Sequence, residues 1–147
     1  MADLAAFAAL VPLDHGLVVV STSRGDGSIQ SSVVNAGVLD HPVTGRAVVG
    51  FVASGSSRRL THLRARPRAT IVIRAGWRWA GVEGPTELAG PDDRLEGIEG
   101  DDLRVLLRDI FTAAGGTHED WDEYDRVMAE ERRVAVLLDP ERAYGSG

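Results

Sequence analysis

The sequence contains no cysteine and no lysine among its 147 residues. The absence of cysteine excludes disulfides, thiolate nucleophiles and zinc–thiolate sites. The absence of lysine excludes Schiff-base chemistry and a lysine general base, so all 16 cationic side chains are arginines. No apolar run approaches the roughly 20 residues of a membrane-spanning helix, and segment 1–12 carries no positive charge to open a secretory signal. We therefore expect a cytoplasmic protein with no membrane partner.

The charge balance argues against a nucleic-acid partner. The formal net charge is −6, whereas binding along a phosphate backbone needs an extended basic face. The contents of hydrophobic residues (44%) and charged residues (26%) are ordinary for a folded globular protein. No repeat or linker-like stretch divides the chain, so we expect a single domain over 1–147.

The first 90 residues predict a β-meander. Short β-branched or alternating stretches are separated by turn sequences such as Arg24-Gly25-Asp26-Gly27. A short helix at 59–65 must end before Pro67, because the residue before a proline avoids the helical conformation. The expected strands are 16–23, 28–38, 47–52, 69–74 and 77–88.

The remainder predicts helices followed by one more strand. Pro91-Asp92-Asp93 has the composition of a helix start, and 101–113 carries leucines and an isoleucine at helical spacing. Thr117 followed by Asp120 has the pattern of a helix N-cap, for a helix reaching about Arg132. The apolar run 134–138 predicts the last strand.

A basic segment is the strongest functional signal. Five arginines fall within the eleven residues 58–68, directly after a predicted strand and beside Ser56 and Ser57. Guanidinium groups bind phosphate and carboxylate bidentately, and a helix N-terminus adds free N–H groups, so a phosphorylated cofactor is one interpretation. The alternative is a solvated face on which these arginines pair with the excess of Asp and Glu.

Two other stretches are candidates for ligand contact. In segment 30–37, alternate polar side chains are expected on one strand face, with Val33 and its apolar neighbours on the other; an ordinary half-exposed strand is the alternative. Trp77 and Trp79 are expected on one face, either stacked on a planar ring or packed against a partner subunit.

Other chemistries find little support in the sequence. The acidic stretch 117–125 lacks the glycine and spacing of a calcium loop and has a single histidine, so no metal site is expected. No nucleophile elbow, phosphate-binding P-loop or dinucleotide fingerprint is present. A reaction that a bound redox cofactor itself performs is therefore favoured.

Four stretches together resemble the pyridoxamine-phosphate-oxidase-like split-barrel superfamily, and within it the actinobacterial branch of deazaflavin-dependent oxidoreductases. The stretches are Ser32 to Gly45, Leu63 to Thr70, Gly76 to Gly84 and Gly115 to Arg133. The resemblance implies a mainly β protein with helices, built as a six- or seven-stranded split β-barrel of the FMN-binding type. It also implies a homodimer formed through the sheet, cofactor grooves built by both subunits, and a barrel closed by 139–144.

The resemblance also implies the site residues. Ser57, Arg58 and Arg59 are expected at the cofactor phosphate, with Arg64 and Arg68 as second choices; this branch often has a lysine where Arg59 falls. The residues expected to line the ring-binding strand are Ser32, Val33, Val34 and Asn35. Trp77 or Trp79 is expected to flank the pocket from the partner chain.

The implied activity is hydride transfer from the reduced deazaflavin coenzyme F420 to an unsaturated or aromatic small molecule. A 5-deazaflavin has carbon in place of the reactive ring nitrogen, so the protein would mainly position the reactants. Two alternatives stay open. One is an FMN-dependent oxidase or reductase of the same fold, and the other is a carrier that holds a flavin, deazaflavin or tetrapyrrole without turnover.

Overall fold

Seven antiparallel strands and four α-helices make up residues 2–146, the part of the chain that the computed structural model describes. The strands are β1 (Leu17–Ser23), β2 (Ile29–Asp40), β3 (Ala47–Ala53), β4 (Arg68–Ala75), β5 (Arg78–Ala89), β6 (Val134–Leu138) and β7 (Arg142–Gly145). The helices are α1 (Ala5–Leu10), α2 (Arg58–Ala65), α3 (Asp102–Ala113) and α4 (Trp121–Glu130), and a 3₁₀ turn spans Val11–Leu13. No helix within 2–146 combines the length and apolar character that a membrane crossing needs.

Six of the strands form a closed barrel. The order is β4-β1-β2-β3-β6-β5, and β5 pairs back with β4 to close the ring. The prediction of a mainly β split barrel is confirmed. The prediction that 139–144 closes the barrel is wrong, because β7 only extends the β5 edge along which β6 already lies. β5 is long enough for this arrangement. One of its edges pairs with β4 along Arg78–Pro85, and the other edge pairs first with β7 and then with β6.

The barrel is split between β2 and β3. β2 pairs with β1 from Ile29 to Asn35, and with β3 only from Ala36 to Asp40. Beyond the Ala36–Phe51 pair the two strands diverge, which leaves the first half of β2 without a ladder partner on that side. Antiparallel strands that separate in this way expose unpaired main-chain groups to a ligand or partner.

Two apolar cores explain why these segments fold as they do. One fills the barrel interior and includes Phe51 and Ile71, with Phe7 of α1 and Leu60 of α2 covering it. The other lies between α3, α4 and the outer faces of β3 and β6, and includes Ile110. All five residues of β6 are buried because both of its faces are covered. An uninterrupted Val-Ala-Val-Leu-Leu run suits that position.

Two helix starts differ from the sequence prediction. Pro91 to Asp93 forms a tight turn, closed by the Gly90 N–H donating to the Asp93 carbonyl at 2.8 Å, and no helix begins there. Helix α4 begins at Trp121 rather than after Thr117, because the Asp120 carboxylate accepts the Glu123 N–H at 3.1 Å and caps the helix.

Candidate cofactor site

The structure separates the five arginines of the basic segment by their partners. Arg64 donates two hydrogen bonds to the Asp93 carboxylate, at 2.8 and 2.6 Å. Arg68 pairs with Glu141 at 2.8 Å. For Arg64 and Arg68, the alternative of a solvated face on which arginines pair with acidic residues is therefore the correct one. Both second-choice phosphate contacts are held by carboxylates of this chain.

Arg59 differs from both of them. Its Nη1 donates to the Ser32 Oγ at 2.9 Å, but its Nε–H is buried and has no acceptor among residues 2–146. Among residues 2–146, no carboxylate oxygen lies within 4 Å of it. Burial first, and then the nearby charge of Arg133, lower the pKa of Arg59 from its ordinary value. A half-buried cation beside a second cation is a favourable place for an anion.

Helix α2 adds donors at the same point. Ser57 is its N-cap, and the Ser57 Oγ accepts the Arg59 N–H at 3.2 Å. Within the described part of the chain the Ser57 hydroxyl accepts this bond and donates none, so it can donate to a ligand, and the exposed side chain of Arg58 is adjacent. Guanidinium, hydroxyl and helix N-terminus together form a donor set that fits a phosphate monoester.

The four β2 residues expected at a ring are divided between two faces. Ser32 and Val34 lie on the side of the barrel interior, where Val34 packs against the interior core. Val33 and Asn35 lie on the outer face with Ser31, and Val33 is 63% exposed. Val33 therefore lies opposite Ser32, as expected, but Ser31 and Asn35 share its face, so the expected separation of a polar from an apolar face is wrong. Two consecutive valines leave the face ambiguous in sequence, and the barrel interior takes Val34.

A cavity of about 400 Å³ adjoins this strand, between the outer faces of β2 and β3 and the ends of α3 and α4. Its lining includes Asn35 from β2, Phe111 from α3, Tyr124 and Met128 from α4, and Arg133 at the entrance to β6. The Asn35 amide donates to the His15 carbonyl at 2.7 Å. The sequence does not mark Phe111, Met128 or Arg133 as site residues. No local pattern marks them, because they come from separate elements.

Tyr124 is the most buried polar group of this cavity. Its hydroxyl donates to the Leu107 carbonyl at 2.9 Å, and burial raises its pKa to about 12. The phenol is therefore neutral at physiological pH and is not available as a general base. Within 2–146, no cluster of three or more His, Asp or Glu side chains is arranged to hold a metal ion.

The two tryptophans lie away from the cavity. Trp77 is in the β4–β5 turn and is 97% exposed, and Trp79 is on the outer face of β5 at 40% exposure. The Trp79 ring meets Tyr144 edge-on with centroids 6.2 Å apart. Within one chain, the strands of Asn35 and Trp79 are separated by β1 and β4.

Comparison with known proteins places this arrangement in a fold class. A scan against protein families gives no match. Among solved structures, a pyridoxamine 5′-phosphate oxidase-related FMN-binding protein from Nostoc punctiforme PCC 73102 superposes with a TM-score of 0.66 at 13% identity, covering 99% of this chain and 84% of that one. An F420 reductase gives 0.60 at 15% identity, covering 92% and 94%. A heme-binding protein from Mycobacterium smegmatis gives 0.64 at 16% identity, covering 100% and 56%.

These likenesses establish the fold. The chain has the split-barrel fold of pyridoxamine-phosphate-oxidase-like, FMN-binding proteins, as its sequence resemblance indicated. The similar structures include proteins described as binding FMN, using F420 and binding heme. At sequence identities of 13–16%, these structures show only that the backbone has the same fold. The ligand of this protein must be inferred from its own residues.

Proposed function

We propose that this protein binds a phosphorylated deazaflavin, coenzyme F420, and is an oxidoreductase that passes hydride from its reduced form to an unsaturated or aromatic small molecule. The observation that carries the proposal is Arg59. A half-buried guanidinium with an unbonded Nε–H and no carboxylate partner lies beside the N-cap Ser57 at the split of the barrel. The solved F420 reductase of the same fold supports the choice of cofactor class.

Different residues of this chain would bind the phosphate and the ring of the cofactor. Ser57, Arg58 and Arg59 would bind the phosphate, and the unpaired edge and outer face of β2 at Val33 and Asn35 would bind the ring. When bound, the deazaflavin supplies hydride from a ring carbon. Once the partner subunit covers this face, its apolar side chains would exclude water and fix the approach of the acceptor, which is enough to lower a barrier by several kcal/mol without a dedicated acid or base.

We further propose that a second copy of the chain covers the outer sheet face. Large apolar side chains there are partly exposed: Leu17 at 39%, Val19 at 42% and Val33 at 63%. They lie on the paired strands β1 and β2, which makes a contiguous apolar surface of the kind that marks interfaces. A two-fold dimer through this face would bring Trp79 of the partner subunit toward the β2 strand.

Changing Val33→Arg tests this interface. A charge at its centre should shift the protein from dimer to monomer, because the guanidinium would be desolvated against a copy of itself. Sedimentation velocity measures the result. Val43→Arg is the matched control, since Val43 is 51% exposed but lies in the β2–β3 turn. A monomeric wild-type protein, or equal effects of both changes, would refute the interface.

FMN binding by the same site is the second candidate. It is favoured by the ion pairs of Arg64 and Arg68, which leave little free cationic surface for the acidic tail of F420. A carrier without turnover differs from both enzymes only in lacking a hydride acceptor. The proposed dimer is common to all three hypotheses, whereas the phosphate contacts are common only to the F420 and FMN hypotheses and to a carrier of either cofactor.

Fluorescence titration with F420 and, separately, with FMN tests the proposal. Arg59→Ala should weaken binding of the preferred cofactor by about ten- to a hundredfold, as expected for losing a charged hydrogen bond. Arg68→Ala removes the same charge from the same segment, but from an existing ion pair, and should leave affinity within about twofold. Preference for FMN would replace the deazaflavin assignment, and saturable binding of neither would remove both.

A further inference from the structure

The cavity beside Asn35 has an aromatic wall that its neighbours hold in place. The Phe111 and Tyr124 rings lie 5.1 Å apart, and Trp121 meets Phe111 edge-on at 6.1 Å. Gly116 packs directly against the Phe111 ring, where a Cβ would overlap it. A ring braced on three sides loses little freedom when a ligand stacks on it, so this wall is suited to a flat apolar molecule.

The same cavity carries one permanent positive charge. Arg133 lines it, and among the described residues no Asp or Glu does so, although the whole chain has a net charge of −6. The Arg133 Nε donates to the Glu131 carboxylate at 2.8 Å, and the two side chains are 30% and 46% exposed. Such a surface pair contributes less than about 1 kcal/mol, so an anion inside the cavity competes with it effectively.

Arg133 also links the cavity to the candidate cofactor site. Its charge is close enough to lower the pKa of Arg59 on one side and to act on Tyr124 on the other. Arg133 is therefore within electrostatic range of both the cavity and Arg59. Two like-charged guanidiniums in adjoining sites fit two separate anionic groups.

We propose that this cavity is the acceptor site and selects a planar aromatic molecule with a single anionic group, packed against Phe111 and Tyr124 with its charge on Arg133. The inference rests on the proposed function for the role of acceptor, and on this chain's residues for the chemistry of the ligand. A volume of about 400 Å³ is in the range of small-molecule pockets and accommodates one to three fused rings.

Isothermal titration calorimetry with 1-naphthoate and 1-naphthamide tests the proposal, because the probes share a ring system and differ in charge. Wild-type protein should bind naphthoate at least about tenfold more tightly than naphthamide, in line with a charge-assisted bond. Arg133→Gln should remove that preference while leaving naphthamide affinity within about twofold. Phe111→Leu should weaken both probes. The matched control is Arg132→Gln, since Arg132 pairs with Asp92 at the surface and does not line the cavity.

The same variants titrated with F420 and FMN separate the two hypotheses. Retained cofactor binding in Arg133→Gln, with loss of the naphthoate preference, supports a distinct acceptor site. Equal loss of cofactor and naphthoate binding would make Arg133 a cofactor contact and overturn the inference, while leaving the proposed function intact. Absence of cofactor binding in the wild type, with Arg133-dependent naphthoate binding, would remove the proposed function and keep the aromatic-anion site. Equal affinity for both probes in the wild type would overturn the inference directly.

Discussion

Replacing Arg59 with methionine should stabilise the protein while impairing its ligand binding. The buried, unbonded Nε–H costs about 1–3 kcal/mol relative to a satisfied group. Against this, Arg59→Met loses the hydrogen bond to Ser32, whose half-buried hydroxyl can turn to water. The methionine also removes a desolvated charge from the neighbourhood of Arg133. We expect a net gain of about 1 kcal/mol in the free energy of unfolding, which raises Tm by about 3 °C at this chain length.

Saturating ligand should reverse the order of stability of the wild type and Arg59→Met. At a concentration one hundred times its Kd, the cofactor adds about 2.7 kcal/mol to the free energy of unfolding of the wild type. A variant that binds about a hundredfold more weakly gains only about 0.4 kcal/mol at the same concentration. The wild type should therefore be the less stable protein without ligand and the more stable one with it.

Urea denaturation and thermal melts, each with and without F420 or FMN, measure both quantities. Arg68→Met is the control, because its exposed pair with Glu141 predicts a change within about 0.5 kcal/mol. Destabilisation by more than about 1 kcal/mol in ligand-free Arg59→Met would show that Arg59 is a structural residue. The assignment of the phosphate site would then fail.

Three further predictions follow from the packing and the ion pairs. Gly37→Ala should lower the free energy of unfolding in urea by more than about 2 kcal/mol, because the added Cβ overlaps the main chain of Ala113; a change under 0.5 kcal/mol would refute the close approach. His41→Ala should cost about 2 kcal/mol, since the buried Nδ1 accepts two turn N–H groups at 3.1 and 3.2 Å; unchanged thermal stability would contradict this. A hydrogen bond from Arg108 holds the pKa of Asp125 below its ordinary value of 3.8. The ion pair therefore stabilises the folded protein fully above pH 3.8, and this contribution is lost as the pH falls through the lowered pKa of the folded state. Asp125→Asn should therefore narrow the difference in urea midpoint between pH 7 and pH 3, and an unaltered difference would be the contrary result.

Much of the secondary structure could be predicted because its signals are local. The continuous apolar run 134–138 predicts β6, and the apolar spacing of 101–113 predicts α3 to within one residue of its observed limits. The N-terminus of α2 at Ser57 follows from its side-chain chemistry and from Pro67, which forbids a longer helix. The errors, at Pro91 and Thr117, arose where several capping residues stand close together and only the folded chain selects one.

The sequence alone predicts an anion site near 57–59, because a dense group of arginines at a helix start supplies the donors that an anion needs. Only the tertiary structure shows which of these arginines are paired with carboxylates. The partners of Arg64 and Arg68 lie 29 and 73 residues away, so pairing could not be read from neighbours in the chain. The outward direction of Val33, and the position of Asn35 and Arg133 around one cavity, likewise depend on how the strands pair in the folded sheet. The local sequence determines the periodicity of each helix or strand and the residues that can cap a helix. The contact partners of each side chain depend on which distant segments the closed sheet brings together.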